Sequence, residues 1–247
     1  MDDAPAVVPP SDALEFARLA ESLQSAPTPA ETADGIVEYV RKQLDAIHAG
    51  ITLIRGRKLE TVAATGDLVR LADAYQYELD EGPCRDSSWH RQTLMIRDLA
   101  ADGRWPQWTS AVTALGVASV LAAELTGDGG RRIGSINVYW TRPRDFTADD
   151  VAFTNIFARH AAIALSQSLT EAGLNTALDT RKLIGQAQGI LMERYQLDEA
   201  RAFEVLRRFS QDRNIKLRRV AEDLVTTRKL PSAERVAENS MRLDAAG

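Results

Sequence analysis

The chain has almost no cysteine: one, Cys84, in 247 residues. A single thiol excludes an internal disulfide and any cysteine-based zinc cluster. Histidine is nearly as scarce, and His48, His90 and His160 stand far apart with no metal-ligand spacing, so no metal site is expected. No apolar run approaches the length of a membrane span. The longest, around Val112 to Leu125, is interrupted by Thr113, Gly116 and Ser119, so no membrane partner is expected. The start, MDDAPAVVPP, lacks a basic segment ahead of an apolar one, which predicts no export signal and a cytoplasmic location. Nor do an acid, a base and a nucleophile cluster anywhere. No catalytic residue is nominated, and no enzyme is expected.

What is present is enough apolar residue, 45% against 26% charged, to bury one domain of ordinary size and a smaller one. The charge is unevenly spread. Residues 181–230 hold 12 Lys and Arg against 7 Asp and Glu, while residues 1–180 hold 16 against 25. A basic module behind an acidic domain suits binding to a phosphate backbone, where affinity comes from neutralised phosphates and released counterions; a solvated helical face has the same composition.

In chain order, prolines 5, 9, 10, 27 and 29 punctuate the start. A helix is predicted from Ser11, its cap, to Gln24, and a second from about Glu31 to Ala46. Gly50–Ile54 and Leu59–Ala64 read as two strands joined by the turn Arg55-Gly56-Arg57-Lys58. A helix over Leu68–Tyr77 follows, then a Gly-, Pro- and Trp-rich region, Asp80 to Trp108, without a long periodic run. Strands over Ala118–Leu125 and Ile133–Trp140 precede a last helix. Strands joined by hairpins, with helices at both ends, indicate an antiparallel sheet of the α+β class.

Marker residues in this part are Asp80-Glu81-Gly82-Pro83-Cys84, Arg97-Asp98-Leu99, Arg104-Trp105-Pro106, Leu115-Gly116-Val117-Ala118-Ser119, Gly134-Ser135-Ile136-Asn137-Val138-Tyr139 and Phe146-Thr147-Ala148-Asp149-Asp150. In their order and identity they resemble a GAF domain over residues 30–168, preceded by an extension, 1–29. The resemblance implies a sensor for a small molecule or other signal, with the ligand open and no cofactor assigned. Candidate ligand contacts are Cys84, Trp89, Trp105 and Tyr139, each with core packing as the competing reading. Arg97, Asp98 and Arg104 are expected to pair and hold the long loop.

From Thr147, a cap with Asp149 and Asp150 behind it, a helical pattern continues through Leu169, Leu174 and Leu178. This connecting helix, residues 147–182, has imperfect heptads and a soft point at Gly173, and predicts a homodimer. Beyond it, apolar positions at helical intervals predict a bundle of three short helices: Leu183, Ala187, Ile190 and Leu191, then Ala202, Phe203, Leu206 and Phe209, then Leu217, Val220, Ala221 and Leu224. Asp198 is placed to cap the second helix, and Asn214 sits at the joint before the third.

The runs Ala187-Gln188-Gly189-Ile190-Leu191-Met192-Glu193-Arg194 and Glu199-Ala200-Arg201-Ala202-Phe203-Glu204-Val205-Leu206-Arg207, with Ser210, Asn214, Lys216-Leu217 and Val220-Ala221, resemble an ANTAR domain over residues 177–231, ahead of a tail, 232–247. That resemblance implies binding to RNA stem-loops and prevention of a terminator hairpin. The expected RNA contacts are Arg181, Lys182, Lys216, Arg218 and Arg219 on phosphates, and Gln186 and Gly189 at the loop, since Lys182, Gln186 and Gly189 share one helical face. Ala187 and Met192 are assigned to core packing, and Tyr195 to core or hinge rather than base stacking. The alternative is a GAF-like sensor fused to a helix-turn-helix DNA-binding domain, with Asp212-Arg213-Asn214-Ile215 as its turn.

Overall fold

A computed structural model describes residues 21, 23, 26–90 and 93–230. The helix expected over Ser11–Gln24, except Glu21 and Leu23, and the tail after Leu230 lie outside the described residues. The chain divides into two compact units, residues 1–172 and 173–247.

In the first unit, α1 (Pro29–Gln43) starts where Thr28 accepts a hydrogen bond from the Glu31 N–H at 3.2 Å, with Pro29 as first helical residue. Then come β1 (His48–Arg55) and β2 (Lys58–Ala64), joined by a two-residue turn in which Gly56 has φ +65°. Next are α2 (Asp67–Leu79), α3 (Pro83–His90), β3 (Leu94–Ile96), α4 (Pro106–Ala114), β4 (Ser119–Thr126) and β5 (Arg132–Trp140). The five strands form one antiparallel sheet, ordered β2-β1-β5-β4-β3.

Strand alternation gives the sheet two unlike faces. On one, Ala49, Ile51, Leu53, Leu121, Ala123, Ile136 and Val138 pack with Ile36, Val37 and Val40 of α1 and with Phe157, Ala161 and Leu165 of α5 (Ala148–Tyr195). The other face carries Thr52, Ser135, Asn137 and Tyr139. A second apolar cluster, Val69, Ala72, Ile96, Leu99, Trp105, Trp108, Val112 and Val120, closes around part of it.

Within the region Asp80 to Trp108, without periodicity in sequence, individual contacts hold the described residues in place. Asp80 ends α2 in the left-handed conformation (φ 55°) and pairs with Arg85 at 2.7 Å. Glu81 accepts from the N–H groups of Gln107 (3.0 Å) and Trp108 (3.3 Å), and so caps α4 from a distance. Gly82 has φ +138°, and a Cβ there would collide with the Gln76 side chain. Pro83 opens α3, and Cys84 is buried against the sheet. The expected pairing of Arg97, Asp98 and Arg104 does not occur. Arg104 pairs with Asp102, Arg97 reaches Asp145 at 3.8 Å, and Asp98 accepts from the Ala100 N–H, a local turn that needs no cation.

α5 begins with a reciprocal cap: the Asp150 N–H donates to Thr147 Oγ1 at 3.1 Å and the Thr147 N–H to Asp150 Oδ2 at 2.9 Å. It then runs 48 residues without interruption at Gly173. The first bundle helix is therefore the end of α5 rather than a separate short helix. In the second unit it is followed by α6 (Glu199–Asp212) and α7 (Leu217–Thr227). Asp198 caps α6 by accepting from the Arg201 N–H at 2.7 Å, and Asn214 takes φ 51° at the next joint. Ala187, Leu191, Ala202, Leu206, Val220, Ala221 and Leu224 form the bundle core.

Candidate functional site

One expected core position of the second unit and one expected core or hinge position are on its surface. Phe203 is 38% and Tyr195 57% exposed; Ala187 is buried and Met192 half-buried. The apolar pattern along α6 is one residue wider than the stripe that two neighbours can cover, so Phe203 falls at its edge.

Of the expected RNA contacts, Arg181, Lys182, Gln186, Gly189, Lys216, Arg218 and Arg219 are all exposed. Gln186 and Gly189 line a groove of about 490 Å³ with Ile190, Glu193, Arg194, Val225 and Arg228. Arg194 fixes one wall by donating to the Arg228 carbonyl at 2.7 Å, where α7 ends left-handed. Arg181 lines a different groove, of about 960 Å³, together with Ile184, Gln188, Ala200 and Phe203. Among the described residues Arg181, Lys182, Lys216 and Arg218 have no ion-pair partner, whereas Arg219 lies 3.6 Å from Asp223 and 3.9 Å from Glu222.

Gly185 was not singled out in the sequence, yet it shares the feature that marks Gly189. Both stand inside α5, and a Cβ at either would meet nothing within 4 Å. A helical glycine costs about 1 kcal/mol relative to alanine. Neither internal packing nor backbone conformation demands that cost here. Spaced four apart beside Lys182 and Gln186, the two leave bare backbone on an exposed face. The signal was readable as two glycines inside a helical pattern.

In the first unit the expected ligand contacts are dispersed. Trp89 lies in α3 with its side chain outside the described residues. Trp105 is buried, stacked edge-on to Trp108 at 6.2 Å, and donates its indole N–H to Asp86 at 2.9 Å. Cys84 and Tyr139 are fully buried in a polar cluster that the sequence did not announce.

The centre of that cluster is Asp73, on the inner face of α2. It accepts from Thr61 (2.7 Å), Thr52 (3.3 Å), Tyr139 (3.1 Å) and Gln76 (3.2 Å), donors from three strands and its own helix. Burial pushes its carboxyl up to about 6, and these hydrogen bonds keep it from rising further. Burial, reinforced by the Asp73 charge, pushes the Cys84 thiol up to about 12 and raises the Tyr77 and Tyr139 phenols. Cys84 Sγ lies 3.1 Å from Ser135 Oγ, and its N–H donates to Gln76 Oε1 at 2.8 Å. A thiol held protonated is a poor nucleophile. Next to it, the Asn137 side chain is fully buried and approaches the Cys84 thiol. Among the described residues no group of three or more His, Cys, Asp or Glu is placed to hold a metal, and no helix is long and apolar enough to cross a membrane.

The GAF domain family profile matches residues 26–166 and the ANTAR domain profile residues 172–225. No curated protein matches the chain. Among solved structures, the GAF domain of an Acinetobacter phosphoenolpyruvate-protein phosphotransferase is similar, with 13% identity and a TM-score of 0.53 over 67% of this chain and 99% of that one. A GAF sensor protein from Burkholderia vietnamiensis is 22% identical, with a TM-score of 0.50 over 64% and 98%. A bacteriophytochrome from R. palustris is 10% identical, with the same TM-score, over 74% and 43%.

Proposed function

The chain belongs to the GAF domain family and carries an ANTAR domain behind its sensor unit, and from that premise we propose that it is a transcription antitermination regulator acting through RNA stem-loops. GAF and ANTAR domains are regulatory, a sensor and an RNA-binding module. The finer reading is that a signal received by the first unit sets how well the second grips a hairpin in a nascent transcript, and that the grip prevents a terminator from folding. The observation that carries it is the exposed α5 face on which Lys182, Gly185, Gln186 and Gly189 adjoin, with Arg181 and Lys182 free of ion pairs among the described residues. Bare helical backbone lets a splayed loop base approach closely, while Lys and Arg meet the stem phosphates.

The connecting helix supports a homodimer. Leu174 and Leu178, one turn apart on α5, are each 62% exposed. Two bundles on one dimer would hold two stem-loops with an affinity neither reaches alone. A cytoplasmic location accords with an RNA target made there.

In-vitro selection from hairpins with randomised loops tests the reading. Enrichment of a loop motif is expected. Lys182→Glu or Lys216→Glu should weaken binding to every hairpin alike, and Gln186→Ala should change the enriched motif. A pool that stays random after selection would contradict the proposal.

A further inference from the structure

In the first unit, a groove of about 570 Å³ opens at the sheet edge where the β1–β2 turn faces the end of α2 and the start of α3. Its volume is in the range of about 300–1,000 Å³ typical of small-molecule sites. Arg57 and Lys58 contribute from the turn, Gln76, Tyr77 and Asp80 from α2, and Arg85 from α3, with Leu59 between. Of the candidate ligand contacts read from the sequence, Cys84, Trp105 and Tyr139 do not line it.

The electrostatics of the groove are one-sided. Among the lining residues Asp80 is the one carboxylate and pairs with Arg85 at 2.7 Å, which also reaches Asp86 at 3.8 Å. Arg57 and Lys58, both exposed, have no ion-pair partner among the described residues; the neighbouring Glu60 is taken by Arg55 at 3.2 Å. Two uncompensated positive charges remain on one rim. The Tyr77 ring and Leu59 supply apolar wall beside them. Behind the wall, the Tyr77 hydroxyl is tied to Thr61 at 2.9 Å and Thr52 at 3.1 Å, and the buried Gln76 amide bridges Asp73 and the Cys84 N–H. The floor is thereby fixed to the polar network under α3, and a ligand that drew Arg85 off Asp80 would load the first turn of that helix.

We propose that this groove is the binding site of a phosphorylated small molecule, a phosphate monoester whose dianionic head meets Arg57 and Lys58 and whose body lies against Tyr77 and Leu59. A dianion matches the two unpaired cations better than a cyclic phosphodiester with a single charge, and Arg85 adds planar donors for phosphate oxygens. The inference concerns the sensor unit alone and stands whether or not the chain binds RNA.

Isothermal titration of the full chain at low salt, without RNA, tests it with four probes: adenosine 5′-monophosphate, glucose 6-phosphate, adenosine 3′,5′-cyclic monophosphate and inorganic phosphate. Saturable binding of at least one monoester is expected, tighter than the cyclic nucleotide and inorganic phosphate; which monoester wins identifies the body as base or sugar. The double substitution Arg57→Glu, Lys58→Glu, on an exposed turn, should weaken monoester binding about tenfold or more while leaving tryptophan fluorescence and hairpin binding unchanged. Arg85→Gln should weaken it independently. Absence of saturable monoester binding, a preference for the cyclic nucleotide, equal affinity for inorganic phosphate, or indifference to the charge reversal would each overturn the proposal. Loss of hairpin binding in the unsubstituted chain would instead count against the RNA reading alone.

Discussion

Replacing Asp73 with asparagine should make the sensor unit more stable at neutral pH and remove part of its pH dependence. The wild-type carboxyl is fully buried with no cation beside it among the described residues, and burial raises it from the ordinary 3.8 to about 6. A group that holds its proton more tightly when folded adds stability that is fully present below the unfolded value and is lost as pH rises through the folded one, here between about 4 and 6. From pH 4.5 to 7.5 this amounts to about 2 kcal/mol. Asparagine keeps the hydrogen bonds that Oδ1 receives from Gln76 and Tyr139. Its amide donates where Oδ2 accepted, because the Thr61 and Thr52 hydroxyls can turn their protons toward the Tyr77 oxygen, 2.9 and 3.1 Å away. Urea denaturation followed by tryptophan fluorescence reads the sensor unit alone, since all four tryptophans, at 89, 105, 108 and 140, lie within it. The variant's lead over the wild type should grow by about 2 kcal/mol between pH 4.5 and pH 7.5. Taking the difference cancels other carboxylates such as Asp102 and Asp150, whose lowered values act in the opposite direction. Parallel curves for the two proteins, or a wild type that gains on the variant as pH rises, would show that Asp73 is not a buried, cation-free carboxyl.

Gly189→Ala should stabilise the second unit by up to about 1 kcal/mol, because the added methyl meets open space, yet weaken hairpin binding; denaturation followed by circular dichroism, with filter binding, separates the two effects, and unchanged RNA affinity would remove Gly189 from the interface. Cys84, buried with its thiol pushed up to about 12, should resist Ellman's reagent at pH 8 until the sensor unit unfolds and then react once per chain; prompt reaction of the native protein would contradict the packing. Leu174→Glu combined with Leu178→Glu should convert a dimer to a monomer by sedimentation at micromolar concentration, with little change in folding, since both side chains are exposed within one chain.

Local grammar was what the sequence exposed best. A two-residue turn with Gly56 between alternating strands, the Thr147 and Asp198 caps, and Asn214 at the last joint are all decided within a few residues of chain, and all are in place. β3 was invisible because it has three residues and exists through pairing with β4. α3 and α4 are short, and a remote carboxylate, Glu81, caps the second of them. Asp73 reads like a surface residue of α2, and only the convergence of Thr52, Thr61 and Tyr139 from separate strands makes it the centre of a buried network. For the candidate RNA face, the periodicity placed Lys182, Gln186 and Gly189 together. It could not place Arg181 and Phe203 on a second groove, which depends on how α6 packs against α5.

The most direct measurement is competition binding of the full chain to a hairpin RNA and to duplex DNA of matched length across a salt series. The account predicts preference for the hairpin and an affinity that falls with salt on a log–log slope of roughly −3, from the four expected phosphate contacts that have no ion-pair partner among the described residues. Preference for the duplex, or hairpin binding absent even at low salt, would contradict it.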